Sequence, residues 1–360
     1  MMDKSNKIKF NTPKKKPNIP IVIIGAGGIV QNGHLPAYRL AGFEVKGLFD
    51  VNFLKAKKVA KEFDIPKVYK SFNDLVDDNK NFPIYDIAVP GKNLISVLKN
   101  IPENSYVLMQ KPMGENLNQA KEILAICKER KLVAGVNFQL RYAPFILMAK
   151  QMLEQKLIGE ICDVEVYVNV YTPWELWGFL KDSPRLEILY HSIHYIDLIR
   201  NILGNPIGIF SKTIKVPKFK HLSEVKSTII MDYGEEIRVN IITNHNHDFG
   251  SKNQDAFIKF EGTNGAIKIK LGLLMDYPQG QQDNFEYTIL NENNKNVWRN
   301  VPINGSWFPH GFIGVMDNLM KVKLGYTTVL DNSVVDCYNT MVCVEAAYES
   351  VIPQIIGYHT

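Results

Sequence analysis

Between residues 21 and 136, short apolar runs alternate with amphipathic segments. The runs cover 21–24, 44–50, 85–89, 106–109 and 132–136. They are too short for core helices and apolar on both faces, so they predict strands of a parallel sheet covered on both sides. The intervening segments 52–63 and 116–131 put charged side chains on one face and apolar ones on the other, which predicts helices. Strand and helix in alternation make repeated βαβ units. The segment after the first run is a poor isolated helix, because Gly33 and Pro36 interrupt it, and it depends on tertiary packing.

The pattern changes after Ala143. A helical stretch over 144–155 leads into 160–170, where apolar and polar residues alternate with period two. Strand-like runs follow at 207–216, 226–232, 236–243, 256–260, 266–271 and 285–290, with a tight turn at Thr263-Asn264-Gly265. Consecutive strands joined by short turns predict a largely antiparallel sheet. Helices over 312–323 and 333–349 are expected to cover one of its faces. The chain thus divides into a tail (1–19), a first domain (20–143) and a second domain (144–360).

The first apolar run passes into Gly25-Ala26-Gly27-Gly28-Ile29-Val30. Such a strand-to-helix passage suits a dinucleotide pyrophosphate. Gly25 permits a tight turn and Gly27 a close backbone approach. The first helical N–H groups, from Gly28 and Ile29, face the anion. Val30 departs from this pattern, which calls for a third small residue there. The second run ends in Asp50, a carboxylate placed to accept hydrogen bonds from a ribose. It favours NAD, while nearby Lys55 keeps NADP open. The ends of the third and fourth runs add Val89, Pro90, Gln110 and Lys111 to the expected cofactor edge. Pro112 fixes the backbone after Lys111 and is compatible with a cis bond.

In a helix over 188–203, Tyr190, His194 and Asp197 form a polar stripe separate from the apolar stripe through Leu189, Ile193, Ile196, Ile199 and Leu203. An imidazole there suits proton exchange with a hydroxyl, and Lys111 can polarise the same oxygen. His191 belongs to neither stripe. Arg141 fits either a substrate hydroxyl or carboxylate or a structural ion pair. Trp174, in Tyr171-Thr172-Pro173-Trp174-Glu175-Leu176-Trp177, fits either a sugar-stacking face or packing in a core or subunit interface. Trp307 and His310 have the same two readings.

Charge narrows the partners. Six lysines and Asp3 within the first 16 residues account for the whole formal charge of +5, so the body is neutral overall and a nucleic-acid partner is not expected. No apolar run approaches a membrane span, and the lysine-rich start lacks a secretory core, so the cytoplasm is the expected location. Cys127, Cys162, Cys337 and Cys343 have neither a CxxC pair nor zinc spacing, so neither disulfide nor metal is expected.

Together these residues resemble the Gfo/Idh/MocA oxidoreductases, which include glucose-fructose oxidoreductase and inositol dehydrogenases. The resemblance runs from about Ile21 to the C-terminus. Gly25-Ala26-Gly27-Gly28 followed by His34-Leu35-Pro36-Ala37 resembles the family's opening, and Gln110-Lys111-Pro112 its Glu-Lys-Pro motif. His194 with Asp197 resembles its catalytic helix; Phe260-Glu261-Gly262-Thr263-Asn264-Gly265 and Val344-Glu345-Ala346-Ala347-Tyr348 resemble later landmarks. The resemblance implies an N-terminal Rossmann NAD-binding domain and a C-terminal α/β domain on an open sheet that joins subunits into a dimer or tetramer. It also implies a substrate cleft between them, with Lys111 and His194 as the catalytic pair. The expected activity is hydride transfer between nicotinamide and a sugar, cyclitol or related polyol. An NAD-retaining glycosidase working through transient oxidation and a non-catalytic nucleotide- and sugar-binding sensor are the alternatives. Tyr190 stands where the family has an aspartate, Ser192 where it has glycine, Gln110 where it has glutamate and Leu94 where histidine is common. The proton relay is therefore expected to run through Tyr190 or His191, or to be impaired.

Overall fold

The computed structural model describes residues 19–79, 83–181, 183–290 and 297–350. The lysine-rich tail lies outside them apart from Ile19. Five parallel strands, β1 (Ile21–Ile24), β2 (Val45–Phe49), β3 (Ile84–Ile87), β4 (Tyr106–Met109) and β5 (Val133–Val136), form a sheet in the order β2-β1-β3-β4-β5. Every residue of β1 and β3 is buried, as strands covered on both faces require. The order reverses between β1 and β3, which opens a crevice at the carboxyl ends of these strands.

Helices α1 (Leu35–Ala41), α2 (Phe53–Glu62), α3 (Phe72–Asp78), α4 (Leu94–Leu98) and α5 (Leu117–Glu129) accompany this sheet. Asn52, Ser71 and Asn116 cap α2, α3 and α5 by accepting backbone N–H groups of Lys55, Asp74 and Gln119. A π-helical turn over Val30–His34 precedes α1. Val30 is fully buried there in the core with Ile21 and Ile23. Gly33 makes a different close approach, to a helix of the second half: a Cβ there would lie 2.6 Å from the Phe312 ring.

The second sheet has eight strands: β6 (Ile161–Asn169), β7 (Gly208–Ile214), β8 (Lys226–Asp232), β9 (Arg238–Asn244), β10 (Asp255–Gly262), β11 (Gly265–Lys270), β12 (Asn284–Ile289) and β13 (Arg299–Val301). Their order is β13-β12-β11-β10-β6-β9-β8-β7, antiparallel except between β6 and β9. The three-residue β13 has too little alternation to be seen in the sequence. Helix α6 (Pro144–Glu154) enters this half, and α7 (Ile193–Leu203), α8 (His310–Lys323) and α9 (Val334–Glu349) complete the fold.

One expectation is corrected. Helix α8 does not cover the antiparallel sheet: Phe312, Val315, Met316, Leu319 and Met320 enter the core built on Ile21, Ile23 and Leu108 of the parallel sheet. Helix α9 packs against α5, α7, β5 and β7, and so touches both halves. The outer face of the second sheet carries exposed Phe210, Ile214, Ile230 and Ile242. Among the described residues, no helix is long and apolar enough to cross a membrane.

Candidate active site

A cleft of about 720 Å³ lies along the carboxyl edge of the parallel sheet and reaches into the second half of the chain. Gly25, Gly27, Gly28, Ile29, Asp50, Val89, Pro90, Gln110 and Lys111 all line it. Gly25 has φ +108°, and a Cβ there would lie 2.3 Å from the Ala88 carbonyl oxygen. No side chain other than hydrogen fits that turn. A Cβ on Gly27 or Gly28 would meet no atom within 4 Å, so their backbone borders open space in the cleft. Asp50 Oδ2 accepts the Ala26 N–H at 2.7 Å and Oδ1 accepts the Asn52 N–H at 2.8 Å. The carboxylate thus braces the glycine turn and the entry to α2. It keeps lone pairs free, because a carboxylate offers about four acceptor sites. An open glycine cradle with a carboxylate at the end of the next strand fits a dinucleotide.

Lys111 follows β4 and precedes a cis peptide to Pro112. Its ammonium donates to the Tyr190 carbonyl at 2.7 Å. Burial of the ammonium brings its pKa down to about 8, although the side chain stays partly open to the cleft. Gln110 is fixed from two sides. Its Oε1 accepts the Lys111 N–H at 2.9 Å, which turns its amide nitrogen toward His34 Nε2, also at 2.9 Å. His34 Nδ1 lies 2.7 Å from buried Asp86 Oδ2. The amide orientation therefore assigns an imidazole that donates from Nδ1 and accepts at Nε2. Glutamine suits this position because it supplies the donor that a glutamate lacks.

Tyr190 and His191 sit in a π-helical turn, Ile188–Ser192, that leads into α7. The Tyr190 hydroxyl donates to Glu115 Oε1 at 3.3 Å, and burial followed by the Glu115 charge raises its pKa. His194 is buried, and its Nδ1 has no hydrogen-bond partner. Burial, then Lys111, holds the His194 imidazole well below the ordinary range, which leaves it neutral at pH 7. His191 is held down in the same direction, by burial first and then by His245, Lys111 and His194. Trp307 contacts the His194 ring edge-on at 5.3 Å.

Sequence reasoning missed His245 and Glu187. His245 lines the cleft with its ring 4.3 Å from that of His191. Its Nδ1 faces Thr172 Oγ1 at 2.9 Å, and its Nε2 lies 3.4 Å from Glu187 Oε1. Burial alone would raise the Glu187 pKa; His245 and the hydroxyls of Ser227 and Ser192 outweigh it and hold the carboxyl below the ordinary range. The signal for His245 was present, since it continues the inward parity of Val239, Ile241 and Thr243.

Three expected placements are corrected. Arg141 does not line the cleft: its guanidinium is buried, with Nε 2.6 Å from Asp197 Oδ2, Nη1 2.6 Å from the Asp331 carbonyl and Nη2 2.7 Å from Asp336 Oδ2. Asp197 consequently faces this cluster and not the stripe of Tyr190 and His194. Trp174 is also absent from the cleft lining; its Nε1 donates to Asn246 Oδ1 at 2.8 Å and its ring meets His191 edge-on at 5.0 Å. Trp177 lines the cleft in its place. Trp307 lines it too, whereas His310 bonds the Ser306 N–H outside it.

Comparison with known proteins agrees with this geometry. Residues 19–138 match the oxidoreductase family's NAD-binding Rossmann fold, and residues 150–353 match the same family's C-terminal alpha/beta domain. The chain is 27% identical over 268 residues to the Saccharomyces cerevisiae protein YMR315W, covering 69% of this chain and 73% of that one. It is 22% identical to D-apiose dehydrogenase of Rhizobium rhizogenes over 338 residues, 91% of this chain and 94% of the relative. A solved oxidoreductase from Agrobacterium radiobacter, in complex with NAD+, L-tartaric acid and magnesium, superposes with a TM-score of 0.76 at 22% identity, covering 92% of this chain and 96% of that one. The chain belongs to the Gfo/Idh/MocA oxidoreductase family, with an NAD-binding Rossmann fold followed by the family's C-terminal α/β domain.

Proposed function

We propose that the protein transfers hydride between NAD and a CH–OH centre of a sugar, cyclitol such as inositol, or related polyol. The observation that carries this reading is the 2.7 Å hydrogen bond from Lys111 to the Tyr190 carbonyl, which ties the end of β4 to the helix that presents His194 in the glycine-lined cleft. A relative named D-apiose dehydrogenase that aligns with 91% of the chain supports the sugar class.

Bound NAD supplies the hydride acceptor, and the protein aligns it. Gly25, Gly27, Gly28 and Ile29 would hold the pyrophosphate, Asp50 the ribose, and Val89, Pro90 and Gln110 the remaining edge. The charge of Asp50 disfavours a ribose phosphate; Lys55 in the same lining moderates that preference. His194, neutral and set in the cleft lining, takes the hydroxyl proton. The Lys111 ammonium keeps two N–H donors beyond its bond to Tyr190 and stabilises the developing alkoxide. His191 and Tyr190 orient the substrate, and the His245–Glu187 pair stands behind His191.

In this proposal residues 20–143 form the cofactor domain and 144–360 the substrate-binding and oligomerisation domain, with the apolar outer sheet face joining copies into a dimer or tetramer. Unpaired Cys127, Cys162, Cys337 and Cys343 suit the reducing cytoplasm. The test is a panel of sugars, cyclitols and polyols assayed for NADH formation, in parallel with NADP+. NADH formation from a panel member, faster with NAD+ than with NADP+, is expected. A clear NADP+ preference overturns the role of Asp50, and absence of turnover across the panel overturns the activity.

A further inference from the structure

The walls of the cleft differ in a way that bears on its substrate. Among the described lining residues, Asp50, Lys55 and Lys111 carry formal charge, and the first two stand at the β2 end beside the glycine turn. Lys111 is left for the substrate end, already bonded to the Tyr190 carbonyl. Arg141 is turned away into its carboxylate cluster. His191 and His194 are held neutral by burial. His245, also in the lining, faces the Glu187 carboxylate at 3.4 Å, so a phosphate or carboxylate would be desolvated there against a single cation that no carboxylate pairs, an unfavourable exchange.

The opposite wall is apolar and starts at the polar floor. The Trp177 ring lies 6.4 Å from His191 and 5.4 Å from Tyr277, and Phe179 lies 5.9 Å from Tyr190. The wall runs outward to Leu176 and Phe179, which are 52% and 49% exposed at the cleft mouth. Hydroxyl-binding groups on the floor and aromatic faces rising beside them suit a ligand with one polar and one apolar part.

Resting on the dehydrogenase reading above, we propose that the cleft selects an uncharged ring bearing hydroxyls and an apolar substituent, as in an aryl glycoside, and rejects phosphorylated and carboxylated sugars. The polar ring meets Lys111, His191 and His194, and the substituent lies along Trp177, Tyr277 and Phe179.

Calorimetric titration of the NAD+-loaded protein tests this without turnover. The probes are phenyl and methyl β-D-glucopyranosides, galactopyranosides and xylopyranosides, with glucose 6-phosphate and glucuronate beside them. At least one phenyl glycoside is expected to bind about tenfold more tightly than its methyl counterpart, the scale of one good aromatic contact. The charged sugars are expected to give no heat of binding in the same concentration range. Trp177→Ala should abolish the phenyl preference, and Trp177→Phe, which keeps an aromatic face, should retain most of it. Equal affinity within every pair, no binding by any phenyl glycoside, or charged sugars binding as tightly as neutral ones overturns the proposal. A phenyl glycoside that binds tightly without forming NADH counts against the dehydrogenase reading alone, and NADH from glucose 6-phosphate counts against the selectivity alone.

Discussion

At the residue scale, the proposed reaction depends on two groups whose pKa burial lowers, Lys111 to about 8 and His194 to below the ordinary histidine range. Lys111 has its pKa brought down to about 8 by burial, so its ammonium is present at pH 7 and is lost as pH rises through that value. His194 is held below the ordinary histidine range, so it is already the free base at pH 7 and gains a proton only on acidification below pH 6.5. A reaction needing protonated Lys111 and neutral His194 has its plateau between these limits. We expect kcat/KM for the best panel substrate to fall above about pH 8 and to show its acid limb below pH 6.5. A profile rising steadily beyond pH 9 contradicts the cationic role of Lys111. Asp50, Lys111 and His194 were legible because each stands at a strand end or on a helix with a chemical reason to be there. Glu187 was not, since nothing local marks a glutamate before the polar stripe as buried beside Ser192 and His245.

At the element scale, the strands of both sheets other than the three-residue β13 were legible from periodicity, because burial on two faces and on one face leave different patterns in the chain. The packing of helices was not legible. An amphipathic α8 states that it has a partner but not which sheet; the choice is marked by Gly33, which accommodates Phe312, and by Gly311 and Gly314, which let α8 approach Gln139 and Tyr142. The polar stripe of the helix over 188–203 misled for a related reason: α7 is buried all round, so its polar residues divide between the cleft and the Arg141 cluster. That cluster joins the end of the parallel sheet to α7 and α9 through Asp197 and Asp336, with Arg200 adding a contact to Asp336 at 3.2 Å. Arg141→Ala leaves Asp197 buried with its main cation gone. We expect a loss of about 3–5 kcal/mol of stability, measured by denaturant unfolding. A loss below about 1 kcal/mol contradicts the structural role assigned to the cluster.

At the scale of the whole molecule, the chain closes on itself. Asn332 accepts the Val136 N–H through its backbone at 2.9 Å, α8 returns to the parallel sheet and α9 touches both halves. The cleft is thereby fixed between a cofactor edge and a wall from the segments that follow β6, β9 and β11. The outer face of that sheet is left with Phe210 and Ile230 exposed at 56% and 47%, and no helix of the described chain covers them. We expect light scattering to give a dimer or tetramer, and Phe210→Glu with Ile230→Glu to shift it to smaller species with the secondary structure retained. A wild-type monomer contradicts the assignment of this face.

The central claim is that Lys111 acts on the substrate oxygen in a cleft that also holds NAD. It is tested most directly by comparing the wild type and Lys111→Ala for turnover of the best panel substrate, with NAD+ binding measured on both. Turnover is expected to fall at least about 100-fold, with a much smaller loss of NAD+ affinity, because Lys111 is one residue of the cofactor edge while the glycine turn and Asp50 are untouched. Unchanged turnover contradicts the claim.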